Sequence, residues 1–270
     1  MAVHAEFEHL QIELDDGVAL VRIPTVGSVG RVQAAVHREV SLLWRAMAED
    51  NDVRVIVVTG AGSDFYQSAD IGGIKAIPDI PKEQTYMLLQ RMVGEGRRIV
   101  YDLIEMDKPV IAAINGPAAG GGLAVALLAD ISIAAHDAYL IDPHIALGVA
   151  AGDGAAMIMP LLCGMAKTKL YLLTSDPVSG QEAERIGLVS LSVPAEDVLP
   201  TALGYARRLS AGPQHAIQFT KRSLNQWLRQ GGITSFDLSS ALELLNFFGP
   251  ELRETVEAAA AQQSADTSGA

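Results

Sequence analysis

The chain alternates between short apolar runs of strand length and amphipathic stretches of helix length. Leu10, Ile12 and Leu14 alternate with Gln11 and Glu13, and after Asp15-Asp16-Gly17 comes the run VALVRI. This pattern predicts a β-hairpin closed by a tight turn. PTVGSVG (24–30) reads as a loop. Val32, Val36, Val40, Leu43 and Met47 then recur at helical spacing, predicting one buried face of a helix that ends near Glu49. VRVIVVTG (53–60) predicts a buried strand. It leads into a loop carrying Gly62, Gly72, Gly73, Pro78 and Pro81, expected to be partly mobile. A long helix is expected from Thr85 to Met106.

From Pro109 to Ala129 there is no charged residue. Length alone would allow a membrane span, but Asn115, Gly116, Pro117 and the triplet Gly120–Gly122 interrupt the run. It reads instead as a buried strand (Val110 to Ile114), a glycine-rich turn and a buried helix (Gly121 to Ala129). Glycines there let a ligand approach the backbone, and the helix start offers free N–H groups to negative charge. DISIAA and AYLI predict short strands, and Gly154–Leu162 and Lys167–Thr174 short helices. Ser179 and Glu182 stand at capping-box spacing for a helix that Gly187 ends. LVSLSVP predicts a last strand. Helices are expected over Glu196–Ser210, Pro213–Arg229 and Thr234 to about Ala261. Strands interleaved with helices, followed by helices alone, predict an α/β core with a C-terminal helical subdomain.

Composition narrows the function. The 270 residues are 49% hydrophobic and carry a net charge of −12, poorly suited to nucleic acid. Cys163, the single cysteine, excludes an intrachain disulfide and a cysteine-based zinc site, and its apolar flanks predict a buried thiol. The first residues lack a secretion-signal pattern, so a cytoplasmic location is expected, with no membrane partner. His4, His9, His37 and His215 show no metal-ligand spacing, and no metal is expected.

Four segments together resemble the crotonase (enoyl-CoA hydratase/isomerase) superfamily. FYQSADI (65–71) is similar to its FxxGADI, and PVIAAINGPAAGGGLAVALLADISIAA (109–135) to its KPVIAAVNGxxxGGGxELALxxDxxxA. LTSDPVSGQEAERIGLVSLSVP (173–194) and AGPQHAIQFTKRSL (211–224) are similar to two further family segments. The resemblance implies a spiral of ββα units over 1–195, a helical trimerisation region over 196–261 and a disordered tail over 262–270. It implies a homotrimer or a dimer of trimers. The apolar surplus of the last helices, with Leu242, Leu244, Leu245, Phe247 and Phe248, would pack on a partner subunit or on the chain's own core. It also implies an acyl-CoA thioester as substrate, coenzyme A being part of the substrate and no separate cofactor being needed. The thioester carbonyl would lie between the backbone amides of Ala69 and Gly121, an oxyanion hole, with Tyr66, Gln67, Ser68, Gly120 and Ala124 lining the pocket. Asp70 would fix the loop that presents the Ala69 amide.

The chain departs from the family where proton transfer occurs. Hydratases carry a glutamate after the glycine triplet and another in a Pro-Glu pair. Here those positions hold Ala124 and, after Pro143, His144. Alanine transfers no proton, whereas imidazole titrates near neutrality. Asp153, in AGDGA, stands where the family usually has a small residue. One branch that hydrolyses carbon–carbon bonds of cyclic β-diketones pairs a histidine and an aspartate in these contexts. His144 and Asp153 are therefore the candidate catalytic pair. The alternatives are a core histidine and an aspartate that caps the helix near Gly154. Asp142 would either face the pocket or end a strand, the second being expected, and His136-Asp137 is expected to form a solvated turn. Arg31, Lys75, Lys167, Lys221 and Arg222 would either hold CoA phosphates or be surface charges. Three functions stay open: an enolate-forming acyl-CoA enzyme, a β-diketone hydrolase, and a non-catalytic acyl-CoA-binding subunit.

Overall fold

The computed structural model describes residues 7–25, 31–68 and 71–258. β1 (Gln11–Asp15) and β2 (Val18–Ile23) pair antiparallel with Asp15 opposite Val18. Asp16 and Gly17 both take positive φ, the two-residue turn whose twist matches the strands it joins. α1 (Arg31–Glu49) follows. Val36, Val40, Leu43 and Met47 are fully buried on it, but Val32 is 49% exposed and Gln33 is buried in its place. The apolar face thus starts one turn later than the spacing predicts.

β3 (Val55–Gly60), β5 (Val110–Ile114), β7 (Ile131–Ala135) and β10 (Leu191–Val193) complete the larger sheet, in the order β1-β2-β3-β5-β7-β10. From β2 onward its pairings are parallel. A smaller sheet is built from β4 (Tyr66–Gln67), β6 (Ala118–Ala119), β8 (Tyr139–Ile141) and β9 (Val178–Ser179). The chain lays a strand in the large sheet, then one in the small sheet, then a helix, and repeats. β3 and β4 lead to α2 (Ile71–Ala76) and α3 (Lys82–Glu105). β5 and β6 lead to α4 (Gly121–Leu128), and β7 and β8 to α5 (Ala155–Thr174). This is the expected spiral of ββα turns. All of β5 is buried, which is why it reads as an unbroken apolar run rather than an alternation.

Several local expectations need correction. The segment after β3, read as loop, contains β4, α2 and a 3-10 turn (Ile77–Asp79). Ile74 and Ile77 anchor it in a small second core with Leu89, Leu147, Val149, Phe247 and Leu252. β6 lies inside the glycine-rich turn. Two-residue strands leave no periodicity to detect. α5 is apolar and long enough to suggest a membrane span, but Gly164 (φ 77°, ψ 159°) breaks it. Neither half approaches the ~20 residues a span needs, and the two pieces match the two short helices expected.

α6 (Gly180–Arg185) is capped as predicted, the Ser179 hydroxyl accepting from the Glu182 amide at 3.2 Å. A 3-10 turn (Ala195–Asp197) introduces α7 (Val198–Ser210), and α8 (Gln214–Gly231) follows. The last expected helix is in fact a π-helical turn (Gly232–Phe236), α9 (Asp237–Asn246) and a helix over 251–258. The break falls at Gly249-Pro250, where proline removes a donor and blocks the preceding turn. The expected tail lies outside the described residues.

Candidate active site

The site is assembled around three consecutive residues that follow β8. Asp142 Oδ1 accepts from the His144 backbone N–H at 3.1 Å and lies 2.6 Å from His144 Nδ1. Pro143 between them has fixed φ, which favours this contact between residues two apart. Asp142 was expected to end a strand. It also faces inward and clamps the imidazole. Both side chains are buried. Asp142 Oδ2 has no hydrogen-bond partner among the described residues, so the imidazole ring is the group that balances this carboxylate. Donation from Nδ1–H leaves Nε2 as the atom that can exchange a proton.

Nε2 points at two more acids. Glu243 Oε1 lies 3.4 Å away and Asp153 Oδ2 3.6 Å away. Burial alone would lower the His144 pKa. The charge and hydrogen bond of Asp142, then Asp153 and Glu243, reverse this and hold it well above its ordinary value. Asp142 is held below its ordinary value against the opposing effect of burial, because His144 faces it. Glu243 is pushed up by burial, His144 only partly opposing. Together these effects favour the protonated form of His144. His144, Asp153 and Glu243 bring ligand-type atoms within 4.8 Å of one another, and this is the set that could hold a cation. A protonated Nε2 opposes it, since only the neutral ring ligates.

Glu243 was not singled out from the sequence. It comes from α9, where Phe236, Ser240, Glu243 and Phe247 fall four, three and four residues apart on the face that lines the cavity. A glutamate at an otherwise core-facing position is the signal that could have found it. Of the apolar surplus in the last helices, Phe247 is buried here on the chain's own core. Leu244 is half-buried, while Leu242, Leu245 and Phe248 are exposed. Gly152 admits Glu243: a Cβ there would overlap the glutamate from its carboxylate down to its own Cβ. Gly152→Ala is expected to expel Glu243 from His144, to lower kcat at least tenfold and to lower the thermal midpoint, because the added carbon would also stand 2.7 Å from Glu243 Cβ. A variant with wild-type kcat would show that Glu243 contributes nothing.

The cavity measures about 130 Å³. Its walls come from α1, α2 and α3, the 143–153 segment and α9. His37 lines the same cavity; its Nδ1 lies 3.0 Å from the Tyr66 hydroxyl and its Nε2 4.0 Å from Glu95. Of the residues expected to line the pocket, Ser68 does so. Tyr66, Gln67, Gly120 and Ala124 do not. Tyr66 is packed beneath His37, and Gln67 turns away to Asp64. The Ala124 methyl is buried and faces Gly154. Ala69 and Asp70 lie outside the described residues.

Each glycine of the triplet has its own reason. Gly120 takes φ 58°, ψ −126°, a conformation that strongly favours glycine. Gly122 packs against the Tyr66 carbonyl with no room for a side chain. Gly121 faces the cavity wall: a Cβ there would stand 2.8 Å from Ser68 Oγ and 3.6 Å from His37 Cε1. Its amide, in the first turn of α4, has no acceptor within the helix. Gly121 thus belongs to the wall that carries Ser68 and His37.

The basic residues considered for phosphates are mostly engaged elsewhere. Lys221 is buried, donating to Asp130 at 2.7 Å and to the Lys108 carbonyl at 2.8 Å, which ties α8 to the start of β5. Arg222 pairs with Asp107 and Lys167 with Glu182. Lys75 is half-buried outside the cavity wall, and the Arg31 side chain is not described. Arg91 is the one arginine or lysine among the described residues of the wall. Cys163 is half-buried rather than buried. His136 sits in the expected turn, its Nδ1 2.8 Å from Ser192 Oγ.

Residues 14–256 match the family model described as enoyl-CoA hydratase/isomerase. A probable enoyl-CoA hydratase from Mycobacterium bovis is 39% identical over 178 residues, covering 65% of this chain; the match spans only 62% of that relative's length. The crystal structure of an enoyl-CoA hydratase/isomerase from Mycobacterium paratuberculosis superposes with a TM-score of 0.84 at 30% identity, covering 92% of this chain and 97% of the other. A β-diketone hydrolase from the cyanobacterium Anabaena, bound to (S)-3-oxocyclohexyl acetic acid, shares the fold at TM-score 0.77 and 24% identity, over 92% of this chain and 97% of the other. With residues 14–256 matched and the strand–glycine turn–helix in place, the chain belongs to the enoyl-CoA hydratase/isomerase family.

Proposed function

We propose that this family member is a carbon–carbon bond hydrolase of small β-dicarbonyl compounds, with His144 and Asp153 as its acid–base pair. The observation that carries this is His144 itself: Nδ1 clamped by a buried Asp142, Nε2 turned toward Asp153 and Glu243. That arrangement suits activation of water, as histidine–carboxylate pairs do elsewhere. Ala124 supplies no proton for the family's usual hydration.

In the proposed reaction Nε2, once neutral, takes a proton from water while the water oxygen bonds to one carbonyl carbon. The bond from that carbon to the central carbon then breaks. Its electron pair becomes the enolate of the second ketone, and the imidazolium returns the proton to the enolate carbon. One water is consumed, and a carboxylic acid and a ketone result, joined as one keto acid when the substrate is cyclic. The Gly121 amide, with that of Ala69, would hold the enolate oxygen. A cavity of about 130 Å³ favours a reacting part near ring size, since an apolar cavity of roughly 150 Å³ holds benzene. The Anabaena enzyme offers a precedent on the same fold.

A second function, on an acyl-CoA thioester through an oxyanion-stabilised enolate, is favoured by the mycobacterial hydratase relative. The two separate cleanly. A cyclic 1,3-diketone is expected to be cleaved by the wild type, and Asp153→Asn to lose at least a hundredfold in kcat. Crotonyl-CoA hydration at ordinary hydratase rates, with no diketone cleavage, would overturn the hydrolase function.

We also propose a homotrimer or a dimer of trimers. Leu224 and Trp227 on α8 and Leu238 and Leu245 on α9 are exposed, apolar side chains that a second copy of the chain could cover. Light scattering is expected to give three or six chains, and a monomer at micromolar concentration would refute it.

A further inference from the structure

At the cavity, α1, α3 and β4 bring together three polar side chains that the proposed chemistry does not yet use. His37 comes from α1, Glu95 from α3 and Tyr66 from β4. All three are largely shielded from solvent. The Tyr66 hydroxyl lies 3.0 Å from His37 Nδ1, and it makes no other hydrogen bond among the described residues. If Nδ1 were the donor, the buried hydroxyl proton would have no acceptor, at a cost of about 1–3 kcal/mol. The bond therefore runs from Tyr66 O–H to His37 Nδ1. That direction places the ring proton on Nε2, which lies 4.0 Å from Glu95 Oε2, longer than a hydrogen bond. His37 lines the cavity, and its Cε1, the ring carbon between Nδ1 and Nε2, stands 3.6 Å from where a Gly121 Cβ would be. The His37 ring and Gly121 are thus neighbours at the cavity.

We propose that His37, held by Tyr66 as the neutral Nε2–H tautomer, is a side-chain donor to the substrate's enolate oxygen, supplementing the backbone amides. It rests on the hydrolase function for its substrate but not for its tautomer. The role is electrophilic, not acidic: the proton stays on Nε2 throughout, and only the strength of its hydrogen bond grows as charge collects on oxygen. Burial supports this by lowering the His37 pKa, with Arg91 and Arg98 acting the same way and Asp153 and Glu95 opposing. Tyr66 stays protonated, pushed well up by burial and then by Asp153 and Glu95. The two histidines of the cavity are thereby driven apart, His144 toward the cation and His37 toward the neutral ring. Environments that separate two like groups assign them different tasks.

The test combines a spectroscopic and a kinetic readout on the full-length wild-type protein and three variants. Nitrogen-15 NMR of histidine-labelled protein at pH 7 should show His37 neutral and protonated at Nε2, and Tyr66→Phe should abolish that preference. With a cyclic 1,3-diketone, His37→Ala should lower kcat about a hundredfold, as loss of one oxyanion donor does, with KM within about threefold. His37→Gln, which keeps an N–H donor and cannot titrate, should restore at least a tenth of the wild-type rate. An Nδ1–H tautomer, an imidazolium at pH 7, or a kcat in His37→Ala within twofold of wild type would overturn the proposal. If the wild type cleaves no diketone, the hydrolase function falls, and the tautomer spectrum still decides the state of His37.

Discussion

His144→Asn is expected to lower kcat/KM by about a thousandfold while leaving the fold intact, the range general acid–base groups contribute. Asparagine is the informative substitution. Its side-chain N–H occupies the place of Nδ1–H and still donates to Asp142, so that buried carboxylate keeps a partner. What is lost is Nε2, the atom facing Glu243 at 3.4 Å and Asp153 at 3.6 Å. Steady-state kinetics with a cyclic 1,3-diketone and a thermal melt run side by side make the comparison. A variant with near wild-type turnover would remove His144 from the chemistry. The wild-type pH profile carries the same information. Because His144 is held well above its ordinary pKa, and because water activation needs neutral Nε2, kcat/KM should rise with pH through a value above neutrality. A limb rising near pH 6 in the wild type would contradict this.

Asp142→Asn should act in two ways. Removing one partner of a buried pair leaves the other charge uncompensated, which costs about 3–5 kcal/mol. The variant should therefore melt markedly lower at pH 6, where the wild-type pair is fully charged. The sign follows from linkage. Asp142 is depressed in the folded state, so its stabilisation is present above its unfolded pKa near 3.9 and is lost as pH falls through the lower folded value. His144 is raised, so its contribution is complete below its unfolded pKa near 6.5 and fades as pH rises through the higher folded value. The gap in stability between wild type and Asp142→Asn should thus be widest between about pH 4 and 6.5 and narrow at alkaline pH. Kinetically, the rising limb of kcat/KM should move to lower pH, because the largest stabiliser of the imidazolium is gone. A limb that stays where it was would mean that Asp142 does not govern His144. Equal stability of the two proteins at pH 6 would mean that the pair is not charged.

Much of the architecture was legible in the chain. β5 stood out because a strand covered on both faces is apolar throughout, and the helix α6 because Ser179, Glu182 and Gly187 mark its ends through local hydrogen bonds and one left-handed residue. The break of α5 was visible as a gap between two apolar patterns around Gly164. β4 and β6 were not visible, because two-residue strands owe their conformation to the neighbours they pair with. Val32 misled because spacing alone does not say how far along a helix the core extends. The last helix was read through Gly249-Pro250, although that pair is itself a local stop signal.

The site divides along the same line. The sequence by itself determined the spiral of strands and helices, the glycine turn that presents the Gly121 amide, the absence of a carboxylate at Ala124, and the candidacy of His144 and Asp153. These rest on local conformation and on residue identity at positions a family pattern marks. Only the tertiary structure decided that Asp142 clamps His144, that Glu243 arrives from α9 through the gap left by Gly152, and that His37 lines the same cavity over Tyr66. Those contacts join segments far apart in the chain, or depend on which way a side chain turns. The pKa of each group follows from burial and charge in three dimensions, and no spacing along a sequence encodes that environment.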